Sequence, residues 1–364
     1  MGHCDTITIL SMREVCARYR LFAREVYRDV RQRIVGHYIE TTGPFLDLIH
    51  QEGSLVIGVA ALALVILDVS ILGMYLEIAA RRTSEGVWET YLQDTLGATL
   101  LWKSSGTLDG WEWMGPYEKW FRLRSHRFVR LVYSRSTSAL EAIAWSENTA
   151  QMNYFNRESF GCAFPILTLR RVALTQSWRT MTSPQRRRIA HLHVRAKFVF
   201  RAYPGPLMGA DPPETFKIAG EKRERYACYR DLFLCPEQER FFGDEGSLMM
   251  FFEGEDEDVV GQVRRDCQAP FGDIAVWRVN WSTRAVCAGG CRRGAEILGG
   301  WHVLVLAVPS GAMIRVGEFR GMRMLQEGSL RVIRSVNGNV GALRWTLTSI
   351  RQLTNYRLWR RSYA

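Results

Sequence analysis

"SLVIGVAALALVILDVSILGMYLEIA", residues 54 to 79, is the stretch on which the fold turns. It holds fourteen Leu, Ile and Val residues and only two acids, Asp68 and Glu77. As one helix its 26 residues would rise roughly 39 Å, enough to cross a hydrocarbon layer of about 30 Å with some tilt. Asp68 opposes insertion by about 3 kcal/mol, and each aliphatic residue favours it by about 0.3–0.6, so the sum predicts a transmembrane helix. A buried core helix is the competing reading, because Asp68 and Glu77 are unusual in lipid. In a spanning helix Asp68 should face a partner chain, with Gly58 and Ala61 offering a close-packing surface.

The flanks set the expected orientation. Arg81 and Arg82 follow the stretch directly, and residues 34 to 53 carry no Lys or Arg, which places the C-terminal bulk on the cytosolic or matrix-like side. Further upstream, Val15, Tyr19, Phe22, Val26 and Val30 recur every three or four residues opposite Arg18, Arg24, Arg28 and Arg31. That period predicts an amphipathic helix within residues 1–50, lying on a membrane or on a partner. Its acids Glu14, Glu25 and Asp29 make it an atypical transit peptide, and "MGHCDTITIL" lacks the layout of a secretory signal.

Beyond Trp88 the period shortens to two. Phe121 and Leu123 alternate with Trp120, Arg122 and Arg124, and Val129, Leu131 and Tyr133 alternate with Phe128, Arg130 and Val132. These predict half-buried antiparallel strands, with further strands at "ALEAIAW", "AFPILTLR" and "RVALTQSW". "TSPQRRRIAHLH" predicts a helix that starts at Ser183, with Pro184 in its first turn. At Leu248, 119 residues beyond Val129, "SLMMFFEGEDEDVVGQVRRD" repeats the strand, polar turn and strand order. "YPGPLMGADPPET", with four Pro in 13 residues, reads as a linker. "HVLVLAVPSGAMIRVGEF" and "RVIRSVNGNVGALRW" predict two more hairpins, the second turning at Asn337-Gly338, before a terminal helix over 346–359.

The "KWFRL" and "LVYS" strands, the polar turn, "LEAIA" and "FPILTLRRVALT" before a helix resemble a pleckstrin-homology-like domain over residues 97 to 200. The family's usual Trp in the final helix is absent from 184 to 198. The expected fold is α+β: an N-terminal amphipathic segment (1–50), a transmembrane helix (54–79), a first pleckstrin-homology-like β sandwich or barrel (97–200), a linker (201–213) and a second such domain (214–361), each closed by a helix. The resemblance also implies candidate anionic-headgroup contacts at Lys103 and Lys119, and at Arg230 in the second unit. Against them stand Tyr117, where the family's lipid binders carry a second base, the neighbouring Glu118, and "EGEDED", whose charge repels phosphate.

The chain has 364 residues and a formal charge of +11. Only five of its 48 basic residues are Lys, an excess of Arg that a GC-rich coding genome also explains. Its eight Cys are irregularly spaced apart from "CAGGC" at 287–291, which lacks a second ligand pair; His191 and His193 are the nearest complement in kind. "GEDED" lacks the alternating ligands of a calcium loop. No P-loop, G-x-S-x-G, H-E-x-x-H or dinucleotide fingerprint occurs. Catalytic residues, cofactors and metals are therefore expected to be none. "WRTMTSPQRRR" mixes Trp with Arg but carries no RNA-binding signature, so nucleic acid is not expected as a partner. The function expected is that of a non-catalytic, membrane-anchored scaffold or accessory subunit. Its partners are the lipid bilayer and other subunits of a membrane complex, with the mitochondrial inner membrane preferred. An anionic-lipid adaptor and an unrecognised enzyme are the alternatives.

Overall fold

The computed structural model describes residues 6–13, 17–103, 117–134, 138–175 without 145 and 147, 183–201 and most of 229–252. Beyond these it describes strand segments at 107–108, 111–112, 214–218, 221–226, 274–278, 285–287, 303–306, 333–334 and 340–341. Three helices open the chain: α1 (Thr6–Arg13), α2 (Ala17–Gly36) and α3 (Thr42–Gln51). α2 occupies the expected amphipathic segment and packs on the chain's own core. Its buried line is Ala23, Tyr27, Val30 and Ile34, one step round from the expected stripe, and Tyr19 is exposed. Arg31, expected on the outer face, is buried. Its guanidinium lies 4.3 Å from the Phe252 ring centroid, and its Nη1 donates to the Arg157 carbonyl.

The apolar stretch at 54–79 is not one helix. It divides into β1 (Leu55–Ile57), α4 (Gly58–Val65), a 3₁₀ turn at Val69–Ile71 and β2 (Tyr75–Arg81). Gly58 opens α4 at φ +67°, and Leu67 closes the segment at φ +53°, both in the left-handed region that ends regular structure. Asp68 then caps the 3₁₀ turn, accepting from Ser70 N at 3.1 Å and Ser70 Oγ at 2.6 Å. Eight residues of α4 rise only about 12 Å, far short of a bilayer. Among the described residues no helix is long and apolar enough to cross a membrane. The insertion sum failed because it measures hydrophobicity alone. α4 is apolar all round because every one of its residues is buried in protein. Each Val or Leu there gains about 1.5–3 kcal/mol from burial without any lipid.

After β2 the chain forms α5 (Glu85–Thr90), which runs into a π turn at Tyr91–Thr95, and then β3 (Thr99–Lys103). The short pair β4 (Thr107–Leu108) and β5 (Trp111–Glu112) precedes β6 (Tyr117–Arg122) and β7 (Phe128–Ser134). Next come α6 (Leu140–Ala144), β8 (Asn153–Phe155), β9 (Ser159–Cys162), α7 (Pro165–Thr168) and β10 (Val172–Leu174). α8 (Ser183–Ala196) leads into β11 (Val199–Arg201), which pairs in parallel with β10. Later strands are β12 (Glu214–Ile218), β13 (Glu221–Tyr226), β14 (Glu239–Arg240) and β15 (Leu248–Phe251). The last described strands are β16 (Ile274–Arg278), β17 (Ala285–Cys287), β18 (Val303–Leu306), β19 (Ile333–Arg334) and β20 (Val340–Gly341).

One mixed sheet of eight strands, in the order β15-β9-β8-β1-β2-β7-β6-β3, organises the molecule. All its neighbours are antiparallel except β2 and β7. This replaces the expected tandem of two closed β domains behind a membrane helix. The strand at 129–133 and its supposed counterpart at 248–252 belong to the same sheet, β7 within it and β15 at its edge. β15 was correctly placed as a strand, and it pairs with β9 at the edge of this sheet. "LEAIA" is the buried helix α6 and "PILT" is helix α7, so the hairpin series that carried the resemblance stops at β7.

Several expectations hold. β6, β7, β10 and α8 lie where the period placed them, and Phe121, Leu123, Val129, Leu131 and Tyr133 are all buried as the alternation required. β19 pairs with β20 as the second expected hairpin requires, while Asn337 and Gly338 lie outside the described residues. The linker at 202–213, "GEDED", Cys291 and the 346–359 helix also lie outside them.

Candidate functional site

A cluster of buried and half-buried charge lies on one face of β2, β7 and β6. Side chains two apart in a strand share a face, so Tyr75 and Glu77 of β2 stand beside Arg130 of β7 and Glu118 and Trp120 of β6. The register places Glu77 opposite Arg130, and Arg130 opposite Trp120. Arg130 Nη1 donates to Glu77 Oε1, and its Nε donates to Glu118 Oε2. The Arg130 guanidinium also lies 5.8 Å from the Trp120 ring centroid, and Trp120 meets Tyr75 at 5.4 Å between centroids. Burial alone would push Arg130 toward losing its proton, but Glu77 and Glu118 outweigh it and hold the guanidinium firmly charged.

Glu77 is 3% exposed. Its second oxygen, Oε2, makes no hydrogen bond and points at Gly58, where a Cβ would stand 1.8 Å from it. Gly58 is therefore required twice, by its φ and by this approach. The carboxylate sits at the positive end of α4, where a negative charge is favoured. Arg188 reaches the same cluster from α8. Burial and then the like charge of Arg130 lower its pKa, while Glu77 and Glu118 oppose that shift. Burial, and next the Glu77 charge, raise the Tyr75 phenol well above its ordinary range, so it stays protonated.

A second cluster lies on the opposite face, under α5. Lys119 is 8% exposed and pairs with both Glu85, at 2.5 Å, and Glu89. Burial lowers its pKa, but the two carboxylates outweigh that and raise it. At the end of α2, Arg127 Nη1 meets His37 Nε2, and the Arg127 guanidinium lies 5.6 Å from the Tyr38 ring centroid.

The residues singled out in the sequence are scattered. Asp68 contacts no partner chain in lipid. It caps its own turn and pairs with Arg171 at 3.6 Å. Gly58 and Ala61 are core positions of α4 rather than a membrane packing face. Lys103 stands opposite Lys119 in register, but Lys119 is already engaged by two glutamates, and Arg230 sits exposed in a separate 3₁₀ turn. His191 Nε2 bonds the Ile71 carbonyl at 3.0 Å and His193 Nδ1 the Phe198 carbonyl at 2.9 Å. Among the described residues no group of three His, Cys, Asp or Glu is arranged to hold a metal. Burial pushes the Cys162 thiol up to about 11, which keeps it protonated and unreactive.

Arg130, Glu118 and Arg188 were not foreseen as a unit. Tyr75 and Glu77 were expected as part of a helix and Glu118 only as a charge that opposes phosphate, and the parallel β2–β7 register is what joins them to Arg130. The fold and site define a mixed α+β protein whose buried carboxylates are neutralised by arginine. No family model, no curated protein and no solved structure matches this chain.

Proposed function

We propose that the protein is a non-catalytic binding protein, a scaffold or accessory subunit that holds partner chains. The observation that carries this reading is the Arg130 bridge between Glu77 and Glu118. A carboxylate that acts as general base or acid needs access to a substrate proton. Glu77 is buried and bonded by a guanidinium, so its charge serves the fold. The partner-holding half of the reading is supported by β3, the last strand of the sheet order, where Leu101 and Trp102 are each 50% exposed. Large apolar side chains on an edge strand fit an additional strand or chain better than water.

The test combines native-state mass measurement with cross-linking of the full chain in its native extract. A defined complex that is lost on Leu101→Ser with Trp102→Ser, and kept on Glu77→Gln, supports the proposal. A monomer in native extract, or a turnover that Glu77→Gln abolishes without loss of folded protein, overturns it.

A further inference from the structure

We propose that the face of β6 and β3 holds single-stranded RNA, with an unpaired base stacked on Trp102 and neighbouring phosphates met by Arg122 and Arg124. This goes beyond the partner-holding role above, since it names a nucleic acid on the face of the sheet rather than a protein chain at its edge. No sequence signature announces it, because only the strand register brings Trp102 to Trp120. The first observation is the bulge in β3. Leu100 stands opposite Phe121 and Trp102 opposite Trp120, with Leu101 as the extra residue between them. Side chains two apart in a regular strand share a face, so without the bulge Trp102 would follow Leu100 to the side on which Phe121 is buried. The extra residue turns it to the Trp120 side instead, and re-aiming a side chain is a common use of a bulge. There Trp102 is 50% exposed. Among the described residues no ring packs on it. Trp120 beside it is held by the Tyr75 ring at 5.4 Å and the Arg130 guanidinium at 5.8 Å. The outer ring is open and its neighbour is fixed, so the stacking surface is formed before any ligand arrives.

The second observation is the charge beside that ring. Arg122 follows Trp120 by two residues along β6, so it shares the same face, and it stands opposite Thr99 of β3. Both are exposed. Arg124, also exposed, lies just past the end of β6 against Gly97, where an added Cβ would collide with its guanidinium. Among the described residues neither Arg122 nor Arg124 is paired with an acid. The acids of this face, Glu77 and Glu118, are both bonded by Arg130. Free cations beside an open aromatic ring complement a phosphate chain that carries unpaired bases, and the formal charge of +11 favours a polyanion over a neutral ligand.

Three related ligands fit less well. A free nucleotide needs a concave site that encloses it, whereas Trp102 lies on the last strand of the sheet order and is half exposed. A duplex keeps its bases stacked on one another, out of reach of a ring on a sheet face. Single-stranded DNA lacks the 2′-hydroxyl, for which the exposed Thr99 hydroxyl opposite Arg122 offers both a donor and an acceptor. Arg suits the flanking positions because its planar fork bonds phosphate oxygens in pairs. Stacking tolerates any base, so the strand is held with little preference for sequence.

The test measures the full chain against a fluorescent oligouridylate of about 12 nucleotides, and against the matching deoxy strand, between about 50 and 200 mM salt. Trp102→Ala should weaken RNA binding about fivefold or more, and Trp102→Phe should keep most of it, because any flat ring can stack. Arg122→Gln with Arg124→Gln should make the log–log salt slope shallower by about 1.4, from two contacts of about 0.7 each. The RNA should bind about threefold or more tightly than the deoxy strand, and Thr99→Val should remove that difference. Trp102 also belongs to the protein contact proposed above, so Leu101→Ser alone separates the two. It should weaken the complex with partner chains and leave RNA binding unchanged. Loss of RNA binding with that complex intact would remove this inference and leave the partner-holding reading standing. Four results overturn it: no oligouridylate binding at 50 mM salt, binding indifferent to Trp102→Ala, equal binding of the deoxy strand, or binding only to phosphatidylserine vesicles.

Discussion

Glu77 and Arg130 stand opposite each other across the parallel β2–β7 pair, and Arg130 Nη1 donates to Glu77 Oε1. The pairing matters because neither charge could be buried alone. Removing one partner of a buried ion pair leaves the other desolvated, at a cost of about 3–5 kcal/mol, whereas replacing both with apolar groups is often near neutral. Arg130→Leu is therefore expected to lower unfolding free energy by about 3–5 kcal/mol in urea titrations. Arg130→Leu combined with Glu77→Met should recover most of that loss, the remainder reflecting Glu118. Additive losses in the double variant would show that the pair acts independently.

Gly58 faces the same carboxylate. Gly58→Ala must hold an L-residue at φ +67° and also displace Glu77 Oε2, which Arg130 fixes in place through the other oxygen. The left-handed conformation alone costs about 1–2 kcal/mol, and the clash adds to it. The expected loss is above about 2 kcal/mol, and a double-mutant cycle with Glu77→Ala should be non-additive because the clash is then gone. A Gly58→Ala loss unchanged by Glu77→Ala would place the whole cost in the backbone.

Arg240 ties the segment at 229–252 to the sheet. It is fully buried, donates to Asp244 Oδ2 at 2.5 Å, to the Ala163 carbonyl at 2.7 Å and to the Phe233 carbonyl at 2.6 Å, and lies 4.7 Å from the Phe164 ring centroid. Lysine cannot reproduce a planar fork with this many donors. Arg240→Lys is thus expected to act as a disruptive change, and hydrogen exchange should show protection falling first in β15. Protection that falls equally across β1, β2 and β7 would mean that the segment does not open separately.

What was legible in the sequence was local. The period of two in 119–123 and 128–133 gave β6 and β7 with the correct inward residues, and Ser183 marked the start of α8. The helix at 17–36 was also legible, although its buried line runs through Ala23 and Tyr27 rather than Tyr19. What failed required knowledge of neighbours. A continuous apolar run satisfies lipid and a protein core equally, and only the breaks at Gly58, Leu67 and Asp68 tell them apart. "LEAIA" was expected as a strand, but buried helix α6 hides all five residues, so burial leaves no periodic trace. The site was illegible for the same reason, because Glu77 and Arg130 lie 53 residues apart and only the sheet register joins them.

His37 supplies a pH-dependent prediction. Its imidazole Nε2 accepts from Arg127, a role open only to the neutral ring, and the pKa is lowered from 6.5 by burial first and by the Arg127 charge second, against an opposing contribution from the Gly73 backbone. In the unfolded chain the ring protonates at its ordinary value, so on acidification the unfolded state takes up the proton before the folded state does. The contribution of His37 is therefore complete above pH 6.5 and is lost as pH falls through the lowered value. Glu85, whose pKa is also lowered, loses stability in the same direction, so the His37 share must be taken as a difference. There, burial alone would raise the pKa, but hydrogen bonds from Lys119 and Tyr117 outweigh it. His37→Gln keeps an oxygen that accepts from Arg127 at every pH. Urea midpoints measured from pH 8 to pH 5 should fall more steeply for the native chain than for His37→Gln, with the two curves diverging below pH 6.5. Parallel curves across that range would show that the Arg127 contact does not depend on the charge of the ring.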